Sequence, residues 1–76
     1  MLIHHLVEAI MYHVESSNIA SIGWEDGTLT VEFKSGGLYE YDHVPESVYE
    51  HFLNADSKGR YFRFHVRNDY NYRKIN

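Results

Sequence analysis

The residues best suited to chemistry lie at the end of the chain, in SKGRYFRFHVRNDYNYRK. Lys58, Arg60, Arg63, Arg67, Arg73 and Lys74 alternate there with Tyr61, Phe62, Phe64, Tyr70 and Tyr72. Cations track phosphates, and aromatic faces stack on unpaired bases, so this mixture suits single-stranded nucleic acid. Lys58, Arg60, Arg63, Arg67, Tyr70, Tyr72, Arg73 and Lys74 are the candidate nucleic-acid-binding residues. Structural roles compete for the aromatics: Phe62 and Val66 can close a core, and Tyr70 and Tyr72 can pin the tail. Arg60, Arg63 and Arg67 follow three- and four-residue steps and can share one helix face.

The net charge of −4 argues against a polyanion partner, but its distribution does not. Residues 1–56 carry one basic residue against ten acidic ones, −9 in all, and residues 57–76 carry six against one, +5. A chain divided in this way can present one attractive patch, or can pair its basic end with its acidic body.

Other chemistries find less support. Six histidines invite a metal, yet there is no HExxH, no i,i+4 pair and no cysteine to complete a ligand set. Gly36-Gly37 serves a hairpin and opens no helix, so it is not a phosphate loop. No nucleophile motif joins the serines, histidines and carboxylates. The expectation is a non-enzymatic module with no catalytic residue, no metal and no cofactor.

The elements that must position the basic end can be read from periodicity. Seventy-six residues make one small domain, and the aromatic content of 16% suits a compact core. Residues 2–14, LIHHLVEAIMYHV, predict an amphipathic helix with Ile3, Val7, Ile10 and Val14 on one stripe. That stripe needs cover, from the sheet, a protein partner or a second copy of the chain, which makes self-association the alternative function.

The period then changes to two. Ala20, Ile22 and Trp24 alternate on one side of Asp26-Gly27, and Leu29, Val31 and Phe33 on the other. A type I′ turn pairs Trp24 with Leu29 and Ile22 with Val31, and a one-residue slip would expose them all. A two-residue loop at Ser35-Gly36 would put Glu40 on the buried face. A three-residue loop, Ser35-Gly36-Gly37 with Gly37 left-handed, sets Phe33 opposite Tyr39 and Val31 opposite Tyr41, and is preferred because it keeps Glu40 and Asp42 outward. Pro45 begins a helix over 45–54. Residues 57–67 fit either a strand (Phe62, Phe64, Val66) or a helix capped by Ser57. The tail reads as irregular or loosely extended.

Ser17-Asn18-Ile19, Ile22-Gly23 before an aromatic, Val31-Glu32-Phe33, Gly36-Gly37 and Tyr39-x-Tyr41 occur together. Val44-Pro45, Ala55-x-Ser57-x-Gly59 and Tyr61-Phe62 complete the set. In these features the chain resembles the KTSC domain, found at the C-terminus of some lysyl-tRNA synthetases and alone in small bacterial and phage proteins. The resemblance covers roughly residues 12–75 and implies a sheet followed by helices, which makes 57–67 helical. RNA binding, of tRNA or single-stranded RNA, is the function its synthetase context implies. Arg63 departs from the Asn expected there, and residues 1–11 precede the usual start as an N-terminal extension to a 12–76 domain. The expected fold is therefore α+β: a three-stranded antiparallel meander (18–25, 28–34, 38–42), two helices (45–54, 57–67) and the N-terminal helix. No run approaches the ~18 apolar residues of a membrane span. Without a secretory signal, a cytoplasmic location is expected.

Overall fold

A computed structural model describes residues 9–76. Among them five strands form one antiparallel sheet: β1 (Tyr12–His13), β2 (Ile19–Glu25), β3 (Thr28–Phe33), β4 (Leu38–Tyr41) and β5 (Tyr72–Lys74), each beside its neighbour in the order β1-β2-β3-β4-β5. Helices α1 (Glu46–Asn54) and α2 (Lys58–His65) lie between β4 and β5 in sequence. The α+β class and both helices match the sequence reading. The meander has two more strands than expected, one at each edge.

The central hairpin follows its turn. Asp26 (φ 49°) and Gly27 (φ 89°) form the left-handed pair that a type I′ turn requires. Trp24 then lies opposite Leu29, and Ile22 opposite Val31. A bulge between Ile19 and Ser21 turns Ile19, rather than Ala20, into the core.

The second hairpin has the expected loop length but begins one residue earlier. Phe33 N–H donates to the Gly37 carbonyl at 2.8 Å, and Gly36 N–H to the Phe33 carbonyl at 2.9 Å. Lys34-Ser35-Gly36 is therefore the loop. Its left-handed residue is Gly36, at φ 112°, rather than Gly37. Tyr39 accordingly pairs with Val31, and Tyr41 with Leu29. The partner changes by two positions, so the faces do not change: both tyrosines still point toward the helices, and Glu40 points away.

The predicted N-terminal helix is corrected where it can be seen. Residues 1–8, with Ile3 and Val7, lie outside the described residues; residues 9–14 are extended, and Tyr12 pairs with Ile22 as part of β1. Ala9 and Met11 are part-buried there, whereas Ile10 and Tyr12 face solvent. Gly23 is what admits the extended segment. A Cβ there would lie 2.6 Å from the Ile10 carbonyl oxygen and 2.7 Å from the Met11 sulfur, so residues 9–11 press directly on the sheet backbone. Val14 packs on the core, while Ile10 is exposed.

The core lies between the sheet and the helices: Ile19, Ile22, Leu29, Val31, Phe52 and Val66 are fully buried. Pro45 caps α1 from outside, its carbonyl accepting from Val48 N–H at 3.0 Å. Ser57 caps α2 by accepting from Arg60 N–H at 3.2 Å. Trp24 Nε1–H donates to the Val44 carbonyl at 2.8 Å, tying the first hairpin to the entry of α1. No helix among the described residues is long and apolar enough to cross a membrane.

Candidate nucleic-acid interface

The structure divides the predicted basic residues into three groups. Lys58 Nζ donates to the Ala55 carbonyl at 2.8 Å and closes the end of α1. Arg60 and Arg63 line a cleft between α2 and the segment 15–18, with the Arg63 guanidinium 5.8 Å from the centre of the Phe64 ring. Arg67 does not continue their stripe. The helix ends at His65, Val66 leaves helical geometry at φ −124°, and Arg67 lines a different groove from Arg60 and Arg63.

There Arg67 meets β5. Tyr72 and Lys74 project from the helix-side face of that strand, opposite Tyr41 and Tyr39 respectively. Arg73, between them, projects from the other face. It is bound there to Asp42 at 2.8 Å and to Glu40 at 3.0 Å. The hydrogen bond to Asp42, followed by the charges of both carboxylates, raises its pKa above the ordinary arginine value. Tyr70 is half-buried against the core. Of the eight candidate residues, Arg67, Tyr72 and Lys74 converge on one site.

That site is an open groove of about 710 Å³. Its floor is aromatic: Phe33, Tyr39, Tyr41, Phe62 and Tyr72. Edge-to-face contacts at 5.6 Å and 5.3 Å join Phe33 to Tyr39 and to Phe62. The Tyr72 ring leans over Tyr39 and Tyr41 at 5.9 Å and 5.6 Å. Arg67, Lys74, Asn68 and Asn76 stand around it. Burial, followed by the neighbouring Tyr39 and Tyr72, pushes the Tyr41 hydroxyl up to about 12 against the pull of the Arg67 charge. The Tyr41 hydroxyl is therefore neutral at physiological pH. Among the described residues the only ion pairs are those of Arg73, and neither Arg67 nor Lys74 forms one.

Sequence reasoning placed the Tyr39 and Tyr41 rings in the core with their hydroxyls at its rim, and did not place Phe33, Asn68 or Asn76 at a site. The available signal was alternation in the tail. Read as a strand, Tyr72 and Lys74 separate from Arg73 and join the face of the two β4 tyrosines. No group of three or more histidines, cysteines or carboxylates among the described residues is placed to hold a metal.

The KTSC domain model matches residues 15–70. The chain belongs to the KTSC family. It is similar to a Stutzerimonas stutzeri protein, at 47% identity over 51 residues covering 64% of this chain and 72% of that protein. It is also similar to a lysine–tRNA ligase of Nostoc sp., at 46% identity over 48 residues, 63% of this chain. That match spans only 9% of the ligase. The crystal structure of a KTSC domain protein from Yersinia pestis superposes with a TM-score of 0.86 at 37% identity, covering 91% of this chain and all of that one. The family model thus spans β2, β3, β4 and both helices and ends before Tyr72 and Lys74.

Proposed function

We propose that this KTSC domain is a non-enzymatic accessory module that binds RNA weakly through its C-terminal third. The observation that carries this reading is the meeting of Arg67 and Lys74, both without carboxylate partners among the described residues, at the rim of an aromatic groove. Arg60 and Arg63 line a separate cleft and do not join this rim, and Arg73 is occupied by the body's own acids. Similarity to part of a lysine–tRNA ligase, a protein whose name specifies tRNA, agrees with an RNA partner. The acidic body opposes a long polyanion, so binding is micromolar or weaker.

The test is fluorescence anisotropy with labelled tRNA and single-stranded RNA at several salt concentrations. With ~2–4 phosphates engaged, log K falls against log salt with a slope of roughly −1.5 to −3. Arg67→Gln combined with Lys74→Gln flattens that slope and leaves the fold intact. An unchanged slope in the double variant defeats the reading.

A second reading, self-association or capture of a protein partner through the N-terminal segment, has one observation in its favour. Ile10 and Tyr12 are exposed beside the two-residue edge strand β1. Val14, the other described member of the predicted Ile3/Val7/Ile10/Val14 stripe, is committed to the core. Sedimentation of the parent and an Ile10→Asp variant tests it: an unchanged monomer in both excludes self-association.

A further inference from the structure

We infer that the groove between α2 and β5 is a subsite for one unstacked nucleobase with its phosphate, so that the minimal ligand is a single nucleotide. The inference deepens the RNA reading and rests on it for its biological sense, but it is carried by the shape and chemistry of the groove rather than by net charge.

Tyr72 is 59% exposed, although its ring already contacts Tyr39 and Tyr41. One side of the ring is therefore held by the sheet and the rest is offered to the groove. A fixed ring with an open surface is what base stacking requires, since little conformational freedom is lost on binding. At about 710 Å³, the groove falls in the range of small-molecule sites, roughly 300–1,000 Å³. Two cations and two asparagines line it. Arg67 can take a phosphate through two parallel N–H donors, and Lys74 supplies a point charge. Asn68 and Asn76 each carry both a donor and an acceptor, the complement of a base edge.

This distribution separates a nucleotide from other occupants. An aliphatic or lipid chain would leave the cations and amides unanswered. Inorganic phosphate would use Arg67 and Lys74 but not the tyrosine floor. A base within a duplex is stacked on both faces and paired along its edge, so it cannot reach Tyr72 without being extruded. The groove therefore prefers unpaired nucleotides to duplex.

The test uses the full chain and three small probes: adenosine monophosphate, ribose 5-phosphate and inorganic phosphate. Binding is followed through the backbone amide resonances of residues 67–68 and 72–74. Adenosine monophosphate is expected to shift these amides saturably, about ten-fold more tightly than ribose 5-phosphate, the difference being one stacked base. Tyr72→Ala should bring the two probes to the same affinity, while Tyr72→Phe, which keeps the ring, should preserve the gap. Equal affinity of the two probes for the parent overturns the inference, as does a gap that survives Tyr72→Ala. No shift with any probe overturns it as well. RNA binding with a normal salt slope alongside equal probe affinities would refute the base subsite and leave the RNA reading standing. A probe gap without RNA binding would support the subsite and remove that reading.

Discussion

One face of one sheet ends in two different surfaces. Beneath α1 and α2, strands β2 and β3 present Ile22, Leu29 and Val31, each fully buried, to Phe52, which is equally buried. Two strands away, β4 and β5 present tyrosines graded from buried Tyr41 to exposed Tyr72. Aliphatic side chains stabilise the fold in proportion to the area removed from water, and over the first region the helices remove all of it. A tyrosine keeps an apolar body with a polar tip and tolerates a half-open position. The second region can therefore remain uncovered without destabilising the domain. The first region holds the fold together, and the second stays open to solvent.

The sharpest attempt to break this contrast is Phe52→Ala. Phe52 also stacks on Tyr61 at 5.5 Å, and truncation should cost ~3–5 kcal/mol, much of the stability of a small domain. Urea unfolding measures it, and a variant that unfolds like the parent would refute the division. Gly23→Val comes next. The new side chain collides with the Ile10 carbonyl and the Met11 sulfur, and a cost of ~1–3 kcal/mol is expected, with residues 9–11 displaced.

Tyr41 sits at the boundary between the two regions. Its folded-state pKa of about 12 exceeds the ordinary 10.0. The associated stability is fully present below pH 10 and is lost as pH rises toward 12, because the unfolded chain releases the proton more readily. Tyr41→Phe keeps the ring and should flatten that alkaline decline, as thermal melts at stepped pH would show. Persistence of the full decline would move its origin elsewhere. The smallest effect belongs to Tyr72→Ala, expected to change stability by less than ~1 kcal/mol because the side chain is mostly solvated. A larger loss would make the groove part of the core.

Regularity decided what the sequence disclosed. Asp26-Gly27 and the alternation on either side of it specify the first hairpin, because its turn geometry and buried face demand the same register. Ser57 and the i,i+4 spacing allow α2, and the family resemblance selects it over a strand. The second turn was harder, since adjacent glycines offer two left-handed positions and both choices keep the tyrosines inward. Strands β1 and β5 were not legible: at two and three residues they are too short to show a period, and each exists only because a longer strand offers it an edge. The groove was hidden for the same reason. Its tyrosines and cations lie far apart in the chain, and β5 unites them.

That last strand has a thermodynamic consequence. Every residue of β5 is exposed, and beyond its register with β4 it is held by backbone bonds from Leu38 N–H to the Asn76 carbonyl at 3.0 Å, from Ile75 N–H to the Leu38 carbonyl at 2.8 Å and from Asp42 N–H to the Asn71 carbonyl at 2.9 Å, and by the solvent-exposed ion pairs of Arg73. A segment docked so shallowly undocks at a free energy well below that of global unfolding. Undocking would carry Tyr72 and Lys74 away from Arg67, so an occupant that needs all three binds only the docked form. Occupancy then acts as a clamp: hydrogen exchange at the amides of residues 72–74 should slow in proportion to ligand saturation, while exchange in β2 and β3 stays at its original rate.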